Sequence, residues 1–216
     1  MFTRRLLIVS LLAPLACLLA VMIILKAQAA QRPPFIAQMI ETYSRADGPP
    51  LRMSATHASR ADGSFARART VSVKGREKRY RLIMDLSTST QIAVSESAQS
   101  ATLSEIRPGT RNAMREASVR CNDAIYSERA IMFGLGVVHV KTDLPTGTTN
   151  TGDTVYMTHD DWQAPELGCF SLKRVTTFYK NGAATGTTIE EAVAITLGAP
   201  PPDLFEVPEG YTKSRR

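Results

Sequence analysis

Phe65-Ala66-Arg67-Ala68-Arg69-Thr70-Val71-Ser72-Val73 runs into Lys74-Gly75 and returns as Tyr80-Arg81-Leu82-Ile83-Met84-Asp85-Leu86. Successive side chains of an extended strand point to opposite faces, so Phe65 to Val73 reads as a strand with period two. Lys74-Gly75 turns the chain, and Tyr80, Leu82, Met84 and Leu86 point to one side of the returning strand. Upstream, Met53, Ala55 and His57 keep the same rhythm, and Asp62-Gly63 supplies a hairpin turn. Downstream, Thr90 to Val94 and Ala101 to Ile106 continue it until Pro108-Gly109 breaks it. The stretch is an antiparallel meander with one face polar and often basic.

The same rhythm returns beyond a less regular crossing segment at 111–133, in which Ala113 to Val119 reads as a helical turn. Gly134 and Gly136 lead into a strand at Val137, Val138 and Val140. Pro145 to Gly152 reads as a polar loop and Thr154 to Thr158 as a strand. Cys169 to Tyr179 and Thr187 to Leu197 form a hairpin pair around Asn181-Gly182. About nine strands result by this reading. Phe35, Ile36, Met39, Ile40 and Tyr43 recur at the offsets of an amphipathic helix, and Asp47-Gly48-Pro49-Pro50 stops it. The expected fold is mainly β (α+β): a curved antiparallel sheet or incomplete β-barrel, covered by this N-terminal helix.

Leu6 to Leu25 is a run of 20 residues without a charge, preceded by Arg4 and Arg5. Such a run is long enough to span a bilayer, with its N-terminus on the cytoplasmic side. Ala27-Gln28-Ala29 offers a small-x-small cleavage site, so residues 1–30 are a signal peptide or a membrane anchor. Cys17 sits within the apolar run as filler. Either way the body is extracytoplasmic (periplasmic), anchored by the N-terminal helix or released after cleavage. Residues 31–50 then form a linker and the amphipathic helix, 51–212 the β domain and 213–216 a basic tail.

The 216 residues carry 26 Lys plus Arg against 20 Asp plus Glu, a net charge of +6. The charge is unevenly placed: residues 52–120 hold 13 basic and 6 acidic side chains, and residues 121–212 hold 5 and 12. Aromatic content of 6% gives few stacking platforms, and the body is exported, so nucleic acid is not an expected partner. A basic face near anionic lipid head groups is.

Two further segments are distinctive. Trp162-Gln163-Ala164-Pro165-Glu166-Leu167-Gly168-Cys169-Phe170-Ser171-Leu172 reads as a corner, because Pro165 removes a ladder donor and Gly168 permits a tight return. Asp203-Leu204-Phe205-Glu206-Val207-Pro208-Glu209-Gly210-Tyr211 follows three prolines and reads as a C-terminal latch, with Phe205 and Val207 plugging the sheet. Together with the glycine-rich entry to Val137, these segments resemble exported bacterial proteins of the lipoprotein-localisation (LolA/LolB-like) fold. The closer resemblance is to an uncharacterised exported group with that architecture. The resemblance implies an open, incomplete barrel holding a helix, whose carrier members take lipoprotein acyl chains into the interior.

Cys121 and Cys169 are the only cysteines of the exported part. In an oxidising compartment an even count predicts a bridge, and closing this loop is worth about 4 kcal/mol in the chain-entropy treatment. His159-Asp160-Asp161 places possible ligands on alternating faces, which disfavours a shared metal, and reads as a solvated strand end. His57 and His139 stand alone. No serine elbow, phosphate loop or His-Glu-x-x-His motif occurs, so binding is expected rather than catalysis, with no cofactor. The expected ligand is hydrophobic: an acyl chain, lipid or lipoprotein. Arg67, Arg69, Arg79 and Arg81 are candidates for its rim, and Trp162, Leu167 and Phe170 for a lip or corner. The competing expectation is an envelope interaction protein whose interior is filled by its own side chains. A cavity of several hundred Å³ separates the two.

Overall fold

A computed structural model describes residues 32–45, 48–73, 75–117, 121 and 128–215. Met1–Arg32 and Pro33–Arg216 are separate units. The apolar run at 6–25 lies outside the described residues; among these, no helix is long and apolar enough to cross a membrane.

The second unit is built on one sheet. Its strands are β1 (Phe35–Arg45), β2 (Leu51–Ser59), β3 (Phe65–Val73), β4 (Arg76–Asp85), β5 (Thr90–Ser95), β6 (Ser100–Glu105), β7 (Arg129–Met132), β8 (Leu135–Thr148), β9 (Thr154–Ala164), β10 (Phe170–Lys180), β11 (Ala183–Leu197) and β12 (Thr212–Arg215). The order across the sheet is β12-β6-β5-β4-β3-β2-β1-β11-β10-β9-β8-β7. Two meanders, β1 to β6 and β7 to β11, are therefore joined where β1 pairs antiparallel with β11. The edges, β12 and β7, do not meet, so the sheet stays open. The one α-helix among the described elements, α1 (Pro108–Ala117), links the two meanders and is largely exposed.

The expected amphipathic helix at Phe35 is instead strand β1, at the centre of the sheet. The apolar offsets 0, 4 and 8 satisfy a two-residue period as well as a helical one. Ala37 and Glu41 complete the inward row, which runs Phe35, Ala37, Met39, Glu41, while Ile36 packs on the opposite side. Phe, Ile, Thr and Tyr favour the pleated surface, and two neighbouring strands were waiting for it. No N-terminal helix therefore covers the sheet among the described residues. The count of about nine strands also becomes twelve among the described residues. The presumed basic tail at 213–216 contributes Lys213–Arg215 to β12, which runs parallel to β6.

The sheet rolls toward the face that carries Phe35. His57 on β2 and Phe170 on β10 are three strands apart, about 14 Å on a flat sheet, yet their rings lie 4.5 Å apart. The interior at this end is filled by Phe35, Ala37, Met39, Ala55, Leu167, Leu172 and Ala192. Burying a side chain such as Phe35 or Leu172 contributes roughly 1.5–3 kcal/mol.

The opposite face of β2 to β6 has its own core. Ala58, Ala66, Ile83, Val94 and Ala101 pack against the C-terminal segment through Leu204, Phe205, Val207 and Tyr211. The latch reading thus holds, with Phe205 lying across the sheet's face. Arg60 caps it, its guanidinium 3.8 Å from the Phe205 ring centre. Cys121 and Cys169 are bonded, with Cα atoms 5.6 Å apart, and close a loop of sequence separation 48.

Candidate functional site

The inward face of β3 to β6 is assembled by register. Arg67 pairs across to Leu82, Leu82 to Ala93 and Ala93 to Thr102. The next row runs Arg69, Tyr80, Ser95, Ser100. These two rows line a pocket of about 420 Å³. One wall is cationic, the floor carries Leu82, Ala93 and the Tyr80 ring, and the far side is hydroxylic. Tyr80 is 43% exposed, so the pocket is open to solvent.

An ionic layer crosses the roll beside the pocket. Glu41 on β1 and Glu190 on β11 stand directly opposite each other. Arg67 Nη2 donates to both, at 2.6 Å to Glu41 Oε1 and 2.6 Å to Glu190 Oε1. Arg69 Nε donates to Glu41 Oε1 at 2.9 Å. Beyond Glu190, its register partner Arg174 on β10 holds Asp161 Oδ2 on β9 through Nε at 3.1 Å and Nη2 at 2.6 Å. Asp161 also accepts from Ser171 and from Gln163. Three arginines thus balance three carboxylates. Burial opposes the charge on Arg67, but Glu190 and Glu41 more than restore it, and its pKa is raised. Burial likewise works against ionised Glu190, yet Arg67, with Arg174 and Arg69, holds its carboxyl below the ordinary value.

His57 closes the layer toward the apolar end. Its ring is stacked with Phe35 at 5.9 Å and Phe65 at 5.3 Å, and tilted against Phe170 at 4.5 Å. Burial among these rings, helped by Arg67, lowers its pKa to about 4, so the ring is neutral at pH 7.

Of the four arginines read as a rim, the structure brings Arg67 and Arg69 together at the pocket. Arg81 borders it, but Nη1 donates at 2.5 Å to the Asp203 carbonyl oxygen in the C-terminal segment that covers the other face. Arg79 shares the Arg81 side of β4, is exposed, and approaches Glu77 at 3.5 Å. The alternation of β4 places Arg79 and Arg81 opposite Tyr80 and Leu82.

The lip residues divide as well. Leu167, in the 3-10 turn Pro165–Leu167, is fully buried in the core and is no lip. Phe170 faces the roll's interior against Phe35, at 4.8 Å. Trp162 lies under His139, their rings parallel at 4.3 Å, with Lys173 over its ring at 5.6 Å. His139 Nδ1 is 3.1 Å from Glu128 Oε2 and Nε2 is 3.1 Å from Asp160 Oδ1. His159-Asp160-Asp161 is not a solvated strand end: β9 continues to Ala164, Asp161 joins the ionic layer, and Asp160 meets His139. Glu41 and Glu190, central to the site, carry no local signal. Glu41 stands between Ile40 and Thr42 and Glu190 beside Glu191, and only register sets Glu41 and Glu190 opposite one another.

No family model matches the chain, and no curated protein matches it. Among solved structures, the chain is similar to MucB in complex with MucA(peri), at 11% identity and a TM-score of 0.38 over 86% of this chain; it spans 57% of the MucB chain's length. It is similar to a LolA superfamily protein from Nitrosomonas europaea, at 9% identity and a TM-score of 0.35, covering 81% of this chain and 90% of that one. A DUF1329 family protein from Desulfovibrio piger gives 10% identity and a TM-score of 0.28, covering 83% and 92%.

Proposed function

We propose that this chain is an extracytoplasmic binding protein of the cell envelope, taking an amphipathic, lipid-like ligand on the inward face of its open sheet. The observation that carries this reading is the pocket of about 420 Å³ between the Arg67–Arg69 wall and the Leu82–Ala93 floor. Its size falls in the range of small-molecule sites, and apolar lining with a few convergent polar groups is the usual composition of one. An acidic head group would meet the arginines while the chain lies over Leu82, Ala93 and Tyr80. The Cys121–Cys169 bond supports an oxidising compartment, and the apolar run at 6–25 supports export. Where that N-terminal segment is retained it is the contact with the membrane, and where it is cleaved the body is released. The function is binding rather than catalysis, and the ligand class is an acyl chain, lipid or lipoprotein.

The filled apolar end favours a second reading. Phe35, Leu167 and Leu172 are buried together there, as an envelope interaction protein with a self-filled interior requires.

Uptake of a fluorescent fatty acid by the purified protein, with mass spectrometry of extracted lipid, separates the two. The binding reading expects uptake by the native chain and its loss in Ala93→Trp, which fills the pocket. A folded native protein that takes up no probe and carries no lipid overturns it.

A further inference from the structure

We propose that Glu190 is an internal anion occupying the place of a ligand's acidic head group beside Arg67 and Arg69, and that the occupant it yields to is a single-chain amphiphile with such a head. The inference rests on the pocket reading above and specifies its ligand.

Glu41 and Glu190 face each other across the β1–β11 pair. Like charges directly opposite in a sheet repel, and the guanidinium of Arg67 between them removes that cost. The two carboxylates are not equivalent. The Glu41 side chain is 3% exposed and accepts from both Arg67 and Arg69. The Glu190 side chain is 19% exposed, accepts at 2.6 Å from Arg67, and is 3.5 Å from Arg69 Nη2. Glu41 is fixed structure, and Glu190 is the looser partner.

Glu190 also has somewhere to go. Its register partner on the other side is Arg174. Releasing Arg67 therefore leaves Glu190 next to a second cation, so no buried charge is stranded. Arg67 engages the glutamates through Nη2, and Arg69 through Nε and Nη2. Each keeps Nη1 for a further acceptor, and both residues border the pocket. A carboxylate or phosphate entering there takes over the contact of Glu190, while Leu82 and Ala93 receive the chain.

Isothermal titration of the native chain and of Glu190→Gln with lauric acid and with dodecanol tests this. The two probes share a chain and differ in head charge. Glu190→Gln is expected to bind lauric acid about tenfold more tightly, the scale of one charge-assisted contact, with dodecanol unchanged. Arg69→Gln in the same background is expected to erase the gain. Should the glutamine variant not fold, Glu190→Asp keeps the charge, withdraws it from Arg67, and is expected to give a smaller gain of the same sign. Equal lauric acid affinity in folded native and variant proteins, or an equal gain for dodecanol, overturns the inference and leaves the pocket reading standing. Absence of binding by either probe to any folded variant overturns both.

Discussion

The rings of His57 and Phe170 lie 4.5 Å apart, tilted against each other, although β1 and β11 lie between their strands. That contact reports the roll of the sheet directly, and it places a titratable ring among three phenylalanines. The consequences can be measured.

The pKa of His57 is lowered to about 4 in the fold, against 6.5 for a free side chain. Between these values the unfolded chain binds the proton and the folded chain does not, so stability falls as pH drops. The contribution is complete above about pH 6.5 and fully lost below about pH 4, at most about 3 kcal/mol with solvent screening at the ring edge. Urea unfolding of the native chain and of His57→Gln at pH 7.5, 6, 5 and 4 should show a shallower slope in the variant. Parallel slopes would remove His57 from the account.

Reduction should expose the worth of the Cys121–Cys169 bond. The closed loop predicts a loss of up to about 4 kcal/mol on Cys169→Ser or with reductant. Calorimetry with and without dithiothreitol reads it; a variant with the melting temperature of the oxidised native chain would contradict the bridge.

The C-terminal segment is a structural layer on the outer face of β2 to β6. Phe205 is buried against Ala58, Ala66 and Ile83, and Phe205→Ala should cost about 3–5 kcal/mol. A cost below about 1 kcal/mol in denaturant titration would mean that the segment does not pack on the sheet.

Gly186 on β11 pairs with Arg45 on β1. A Cβ placed there would come within 2.9 Å of the Ser44 carbonyl oxygen. Backbone cannot yield as a side-chain tip does, so Gly186→Ala should cost about 1–3 kcal/mol. Gly182→Ala in the hairpin turn is the companion: its φ of 81° meets open space, so the cost there is conformational alone. Thermal unfolding of the two separates steric clash from backbone strain.

Much of the fold was legible because local rhythm and turn chemistry sufficed. Phe65 to Val73 alternates, and β3 has those bounds. Asn181 and Gly182 carry positive φ, as a hairpin turn of this residue pair requires. The Trp162 to Leu172 corner turns at Pro165–Leu167, with Gly168 left-handed. The spacing of Phe35 to Tyr43 fits two periods, and only the presence of β2 and β11 decides between them. The edges β7 and β12, four residues each, are too short to display any period.

The site was half legible. Arg67 and Arg69 stood out as basic residues on an alternating strand. Arg79 and Arg81 carried the same signal, yet their parity sends them to the opposite face. There the C-terminal segment takes the Arg81 guanidinium through Asp203.

The amino-acid sequence by itself determined most of the strands and their turns, because each follows from neighbours a few residues apart. The tertiary structure alone decided which face of β4 is covered and which is open, and that Glu41, Arg67, Glu190 and Arg174 form one layer. Those facts depend on register between strands distant in the chain. A one-residue slip in one of these pairings would turn the side chains of the slipped strand to the other side of the sheet.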